Sequence, residues 1–161
     1  MATEKLKFKI ELYATYWDLK PTAQFKINNE TVTEVFSIDS TKEKPTVIEF
    51  EYECEEGKEY KFEIDRQNKA VSQTVVNEKG DILHDQLLHI KSIAIDEIDL
   101  GGLIFEGTYE PEYPEPWATQ KRESGEDLPK TFKNVTVMGH NGTWHLSFTS
   151  PFYMWLLENL Y

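Results

Sequence analysis

Residues 135–161 read VTVMGHNGTWHLSFTSPFYMWLLENLY, and they carry the strongest structural pattern in the chain. Apolar and polar side chains alternate on both sides of Asn141-Gly142, which is typical of strands with one buried face. Because Asn-Gly accepts the positive φ values of a tight turn, this stretch predicts a β-hairpin. Ser150 followed by Pro151 is typical of a helix start, so a short apolar α-helix is expected to follow the second strand.

The same alternation recurs upstream and predicts an all-β protein. Turn-forming residues interrupt the alternation about every 8 to 12 residues. This spacing is typical of an antiparallel β-sandwich of the jelly-roll or Ig-like type. We expect about eight to ten strands and a short C-terminal α-helix in a single domain spanning residues 1–161. The predicted strands upstream of residue 135 are 6–12, 23–27, 31–38, 47–54, 59–65, 74–77, 82–84 and 87–95, with hairpin turns at 28–30, 55–58 and 78–81.

Residues 107–130 interrupt the strand pattern. This segment is rich in proline and charge and has neither a strand nor a helix period, so it predicts a long surface loop. Loops of such length are uncommon unless they bind something or pack on a neighbouring element.

The charge of the chain limits its partners. The formal net charge is −12, which disfavours nucleic acid because affinity for phosphate backbones comes from Lys and Arg. Glu49, Glu51 and Glu53 are predicted to form an acidic, solvated strand face. No apolar stretch approaches the length of a membrane span, and the N-terminus carries no signal-like apolar segment, so cytoplasmic synthesis is expected. The one cysteine, Cys54, falls on an alternating apolar position and is predicted to be buried without a disulfide.

Catalytic signatures are missing from the sequence. It contains no Gly-x-Ser-x-Gly motif and no glycine-rich phosphate loop, so a non-enzymatic role without a cofactor is expected. The four histidines do not have the spacing of a helical zinc site.

One acidic segment could bind a metal ion. Asp96, Glu97 and Asp99, here called the acidic turn, precede Gly101-Gly102, and oxygen-rich loops with flexible glycine can bind Ca²⁺. The spacing is not that of a helix-loop-helix calcium site, and the alternative is a polar turn at the end of a strand.

Aromatic side chains are the main candidates for ligand contact. Trp17, Tyr109, Tyr113 and Trp117 fall in segments that lack a strand pattern, and Trp155 lies on the predicted terminal helix. Such rings stack on sugars or anchor a protein partner, since aromatic side chains dominate many binding hot spots. The alternative is that they cover the open ends of the sandwich.

The segment Gly139-His140-Asn141-Gly142-Thr143-Trp144, followed by Leu146, Phe148 and Pro151-Phe152-Tyr153, resembles the closing hairpin of small β-sandwich modules. One similar group is the calcium-dependent xylan-binding type of carbohydrate-binding module, which the opening LKFKIELYATYWDLKPTAQFKINNETV also resembles. The other is the set of sandwich domains of tailed-phage structural proteins, including capsid decoration proteins. The first resemblance implies sugar recognition through calcium held by loop carboxylates, and the second implies docking on a virion.

These observations lead to two functional hypotheses. The favoured one is a virion-associated structural or decoration module that docks on a larger complex through a protein partner or self-association. The alternative is a carbohydrate-binding module in which Trp17, Tyr113 and Trp117 stack on a glycan and the acidic turn binds calcium.

Overall fold

The structure is a computed structural model that describes residues 2–160, apart from the side chains at 71 and 160. Its two larger antiparallel sheets form a sandwich-like fold with a short C-terminal helix, as the sequence predicts. The strands are β1 (Thr3–Thr15), β2 (Thr22–Ile27), β3 (Glu30–Thr31), β4 (Phe36–Ser37), β5 (Thr46–Glu55), β6 (Glu59–Gln67), β7 (Val75–Val76), β8 (Ile82–His84), β9 (Leu87–Ile95), β10 (Ile98–Asp99), β11 (Thr108–Pro111), β12 (Phe132–Lys133), β13 (Val137–Met138) and β14 (Gly142–Thr149). The helices are α1 (Trp117–Glu123) and α2 (Phe152–Leu160), and 3₁₀ turns lie at Val71–Gln73 and Gly101–Glu106.

Strands that are neighbours in a sheet are mostly not consecutive in the chain. Sheet I has the order β10-β9-β1-β5, with β13 also paired to β9. Sheet II has the order β12-β11-β14-β6-β2-β3, with β4 also paired to β2. The remaining two strands, β7 and β8, pair only with each other and form what we call the arm.

The core lies between sheets I and II. Phe8 of β1 is fully buried, and its ring lies 4.8 Å from Phe50 in the same sheet. Across the sandwich, its ring centroid lies 5.5 Å from Phe62 and 6.1 Å from Phe148 of sheet II. Alternation places these side chains together because every second residue of a strand points to the same face.

Several local predictions are confirmed. The Asn28-Asn29 turn joins β2 to β3 with φ values of 51° and 67°, the left-handed region that asparagine tolerates. The arm and β9 match the predicted strands 74–77, 82–84 and 87–95. Cys54 is a buried free thiol.

The terminal helix is also confirmed. Phe152 and Leu156 of α2 are buried against the core, while Tyr153, Met154 and Leu157 are exposed.

Among residues 2–160, no helix has both the length and the apolar character needed to cross a membrane.

The predicted hairpin at Asn141-Gly142 is wrong. Strand β13 pairs with β9 of sheet I, whereas β14 pairs with β6 and β11 of sheet II. The chain therefore crosses between the sheets at these two residues. Gly142 is needed there for close approach, because a Cβ atom would lie 2.3 Å from the carbonyl oxygen of Glu110.

The predicted hairpin across 55–58 is wrong for the same reason. Strand β5 pairs with β1 in sheet I, and β6 pairs with β2 and β14 in sheet II. This connection is tied to other segments, since the Gly57 amide donates to Ser150 O (2.7 Å) and the Glu56 amide to Ala2 O (3.0 Å). Alternation identifies the buried face of a strand but not its partner strand.

The predicted acidic face is in fact mixed. Glu49, Glu51 and Glu53 of β5 are exposed as expected, but in the register of the sheet they lie opposite lysines of β1. The pairs are Lys9 with Glu49, Lys7 with Glu51 and Lys5 with Glu53.

The segment 107–130, which the sequence predicts to be a long surface loop, contains regular secondary structure. It contains β11, which pairs with β14 and β12, and then helix α1. Helix α1 is only 7 residues long, which is too short for a helical period to be recognised in the sequence.

Candidate functional site

A cleft of about 240 Å³ lies where four segments meet at one end of the sandwich. These segments are the chain after β6, the arm with its flanking residues, the connection from β11 into α1, and the crossing from β13 to β14. The lining residues are Lys69, Ala70, Thr74, Ile82, Asp85, Glu112, Pro114, Trp117, Gly139, His140 and Asn141.

One wall of the cleft is aromatic. Trp117, the first residue of α1, is half-buried, and its ring centroid lies 5.4 Å from that of His140. Tyr113 lies behind them, with its centroid 5.1 Å from His140 and 6.1 Å from Trp117. Its hydroxyl donates to the carbonyl oxygen of Pro129, so the loop after α1 is fastened to this cluster.

The polar wall is built on an ion pair. Lys69 Nζ lies 2.8 Å from Asp85 Oδ1, and the side chains are 8% and 20% exposed. The same Oδ1 accepts a hydrogen bond from Thr74 Oγ1 (2.7 Å) and another from the Gln86 amide (2.8 Å). Lys69 Nζ also donates to the carbonyl oxygen of Gly139, which connects the chain after β6 to the β13–β14 crossing.

Asn141 fixes the floor beneath the ion pair. Its Oδ1 accepts from the Lys69 amide (2.9 Å) and from Arg66 Nη1 (3.1 Å), and its Nδ2 donates to Lys69 O (3.0 Å). Arg66 is fully buried and donates from Nη2 to Gln86 O (2.8 Å). The side chain of Asn141 therefore holds the chain after β6 in place, which explains its identity better than turn formation does.

The charges of the cleft at neutral pH follow from burial and hydrogen bonding. Burial lowers the pKa of His140 to about 4, and the positive charge of nearby Lys69 acts in the same direction, so the ring is neutral. Burial raises the pKa of Asp85, but hydrogen bonds from Lys69 and Thr74 outweigh it and hold this pKa below its ordinary value. Lys69 and Asp85 are thus a charged pair beside a neutral aromatic wall.

The predicted contact residues are distributed over the molecule. Trp117 lines the cleft and Tyr113 supports it, as described above. Trp17 is 46% exposed and lies outside the cleft lining, where its Nε1 donates to Gln73 O (2.8 Å) and its ring lies 5.0 Å from that of His84.

Tyr109 and Trp155 both lie outside the cleft lining and pack against other parts of the molecule. Tyr109 is only 3% exposed in β11, and its hydroxyl accepts from the His140 amide (2.9 Å), so its prediction as a loop residue is wrong. Trp155 is half-buried against Phe148 and Phe152 and lines a second depression of about 250 Å³ near the end of α2.

The acidic turn lies at the end of β9. Asp96 and Glu97 have φ values of 52° and 67° and form the turn into β10. Asp96 Oδ1 accepts from the Lys7 amide (2.8 Å), and Asp99 Oδ1 accepts from the Gly101 amide (2.7 Å). Within residues 2–160, no three His, Cys, Asp or Glu side chains are grouped so that they could hold a metal ion.

The polar residues of the cleft are missed by the sequence analysis. Lys69, Thr74 and Asp85 belong to segments with no recognisable motif, and they meet because the arm brings Asp85 back to Thr74 and to the chain after β6. His140 and Asn141 stand out in the sequence, but the Asn-Gly pattern there indicates a turn rather than a site.

No protein-family model matches the chain, and no curated protein matches it. Two matching solved structures are of a carbohydrate-binding module. One is described as vCBM60 in complex with galactobiose and is 8% identical, covering 89% of this chain and 97% of that one with a TM-score of 0.48. The other is the selenomethionine form of vCBM60, whose description names a circular permutation linking two families of calcium-dependent carbohydrate-binding modules; it is 6% identical, covering 87% and 88% with a TM-score of 0.50. At 6% identity, the match to the selenomethionine form with its TM-score of 0.50 shows a shared sandwich fold and nothing more.

Proposed function

We propose that this chain is a non-catalytic carbohydrate-binding module and that the cleft beside Trp117 is its sugar-binding site. The observation that carries the proposal is the pairing of an aromatic wall with a fixed ion pair across one cleft. Small-ligand sites combine apolar or aromatic lining with a few well-placed polar groups. A sugar ring offers an apolar C–H face to the aromatic wall and hydroxyl groups to the polar wall.

The comparisons support the class of ligand but not its identity. The vCBM60 structure with a TM-score of 0.50 shares the sandwich fold and is described as a carbohydrate-binding module. Because one fold hosts many functions, the proposal depends on the cleft rather than on the likeness. Nothing in these comparisons supports the virion-associated role expected from the sequence.

The calcium dependence named in that description does not fit the residues of this cleft. Calcium prefers six to eight oxygen ligands, often several carboxylates. In this cleft Asp85 is already neutralised by Lys69. In the acidic turn, Asp96 and Asp99 each use one carboxylate oxygen to accept a backbone amide. The proposal therefore involves no metal ion.

The experiment is affinity electrophoresis in gels that contain neutral polysaccharides, followed by calorimetry with oligosaccharides of any polysaccharide that retards the protein. We expect Trp117→Ala to weaken binding at least about tenfold, since loss of an aromatic hot spot commonly costs more than 1 kcal/mol. Trp17→Ala is the matched control, because Trp17 is the more exposed tryptophan outside the cleft lining. If both variants bind as the unmodified chain does, the cleft is not the site.

A further inference from the structure

The strongest unexplained feature of the cleft is the second carboxylate oxygen of Asp85. The three hydrogen bonds that this carboxylate accepts, from Lys69, Thr74 and the Gln86 amide, all end on Oδ1. Among residues 2–160 none ends on Oδ2, although the side chain lines the cleft and is 20% exposed. A carboxylate has two oxygens that each accept hydrogen bonds, so Oδ2 leaves half of this accepting capacity unused in a side chain that lines the cleft.

From this geometry we infer that Asp85 Oδ2 accepts a hydrogen bond directly from a hydroxyl of the bound sugar, that the sugar is uncharged, and that no cation mediates the contact. The inference rests on the proposed function, because it assigns the ligand class and the contact of that same cleft. Within the polar wall, Asp85 is the residue that touches the sugar, and Lys69 is a positioning residue.

The role of Lys69 follows from its contacts. Its ammonium group donates both to Asp85 Oδ1 and to the carbonyl oxygen of Gly139. These bonds hold one edge of the carboxylate in a fixed orientation and leave the other edge for the sugar. The ammonium also supplies the positive charge that a metal ion would otherwise supply beside a carboxylate. A second cation next to Lys69 would be repelled. The Lys69–Asp85 pair therefore favours direct contact between Asp85 and the sugar.

The preference for an uncharged sugar follows from the charges that face the ligand space. Asp85 presents a free anionic oxygen there, and Glu112 is a second carboxylate in the lining. Lys69, which also lines the cleft, balances the charge of Asp85, but burial makes His140 neutral at physiological pH, so the charge of Glu112 is not balanced within the lining. A uronic acid would bring another carboxylate close to these groups, whereas a hydroxyl can donate to Oδ2.

The test begins with matched polysaccharides. The unmodified chain is run against neutral glucans, mannans, galactans and xylans, and against polygalacturonate and alginate as uronate counterparts. Calorimetry on the best neutral oligosaccharide is then repeated in EDTA and in Ca²⁺. We expect a neutral glycan to bind with the same affinity in both buffers and uronates to bind more weakly.

The direct contact is tested by Asp85→Asn. This substitution removes the charge of the accepting group. Because hydrogen bonds to charged groups are stronger than those to neutral ones, we expect the affinity for the sugar to fall about tenfold to a hundredfold. Glu78→Gln is the control, because it removes the same charge from an exposed position at the tip of the arm. If Asp85→Asn unfolds the arm by leaving Lys69 unpaired, the double variant Asp85→Asn/Lys69→Met replaces it, since it removes both charges of the pair together.

The possible outcomes separate this inference from the proposed function. Binding that EDTA abolishes and Ca²⁺ restores would overturn the inference and keep the module a carbohydrate binder. A preference for uronates, or equal binding by Asp85→Asn and Glu78→Gln, would also overturn the inference while the module remained a carbohydrate binder. If none of the glycans binds, the proposed function fails and the inference with it.

Discussion

Arg66 is a fully buried cation whose hydrogen bonds end on neutral oxygens. Its guanidinium donates to Gln86 O and to Asn141 Oδ1, and burial lowers its pKa to about 10. At that pKa the side chain remains charged at neutral pH. Tyr109 and Asp85 nearby favour the charged form, so Arg66 adds a second positive charge close to the ion pair of the cleft. Removing Asp85 alone therefore leaves two cations close together, whereas Asp85→Asn/Lys69→Met leaves only Arg66.

At the scale of a single residue, Gly142→Ala should destabilise the fold by about 3 kcal/mol, within the range of severe point mutations. Its φ is 153°, and a Cβ there would lie 2.3 Å from Glu110 O and 2.8 Å from the Cα of Pro111. Both contacts are with backbone, so the two strands must separate where they pair. Urea denaturation followed by tryptophan fluorescence measures the loss.

Gly102→Ala is the matched control for that substitution. A Cβ at Gly102 meets nothing within 4 Å, so we expect little change in the free energy of unfolding. Equal stability of Gly142→Ala and the unmodified chain would show that the approach of β11 to β14 is less tight than described.

At the scale of elements, helix α2 begins on a carboxylate from the other end of the chain. Glu4 of β1 accepts from the Phe152 amide (2.8 Å) and from the Ser150 hydroxyl. A carboxylate at a helix N-terminus satisfies a free amide and opposes the positive end of the helix dipole. Ser150, which belongs to the helix-start pattern of the sequence, thus donates its hydroxyl to that carboxylate.

Glu4→Ala should lower the free energy of unfolding by about 1 kcal/mol, the usual cost of losing an N-cap acceptor. Glu43→Ala removes the same charge from an exposed loop and serves as the comparison. Both are measured by urea denaturation at one ionic strength. Equal effects of the two substitutions would mean that only net charge matters at this position.

The sequence predicts strands well because burial of alternate side chains is a local property. Residues 6–12 alternate cleanly, and β1 contains all of them. Partner strands depend instead on where distant segments meet. Short loops after β5 and β13 therefore look like hairpin turns, although each crosses from one sheet to the other.

The cleft could be predicted only in part for the same reason. Trp117 and Tyr113 stand out because aromatic rings in a segment without strand alternation need an explanation. Lys69 and Asp85 are 16 residues apart and carry no motif, and their pairing depends on how the arm folds back. Ionic contacts between ordinary surface residue types leave no periodic trace in a sequence.

At the scale of the whole molecule, stability should fall as pH is lowered from about 6.5 towards 4. The pKa of His140 is about 4 in the folded chain and 6.5 as its ordinary value, so the unfolded chain binds the extra proton between them. Proton uptake on unfolding lowers the free energy of unfolding as pH falls. Burial also lowers the pKa values of His89 and His145, which adds to this slope.

His140→Gln should flatten that pH dependence without removing it. The quantity to compare is the slope of the unfolding free energy between pH 6.5 and 4, obtained from urea curves, because the substitution also alters packing against Trp117 at every pH. An unchanged slope would show that His140 titrates alike in the folded and unfolded chain.

Strand β5 ends the order of sheet I, so one long side of its backbone has no partner strand among residues 2–160. Open edges of this kind act as templates on which other chains add strands, the first step of aggregation. Here Glu49, Glu51 and Glu53 project from that edge strand, each balanced by a lysine on the inner side alone. A second copy that brought its own β5 alongside would place carboxylates next to carboxylates, which is unfavourable. The acidic residues of β5 thus disfavour the pairing of this edge with the same edge of a second copy.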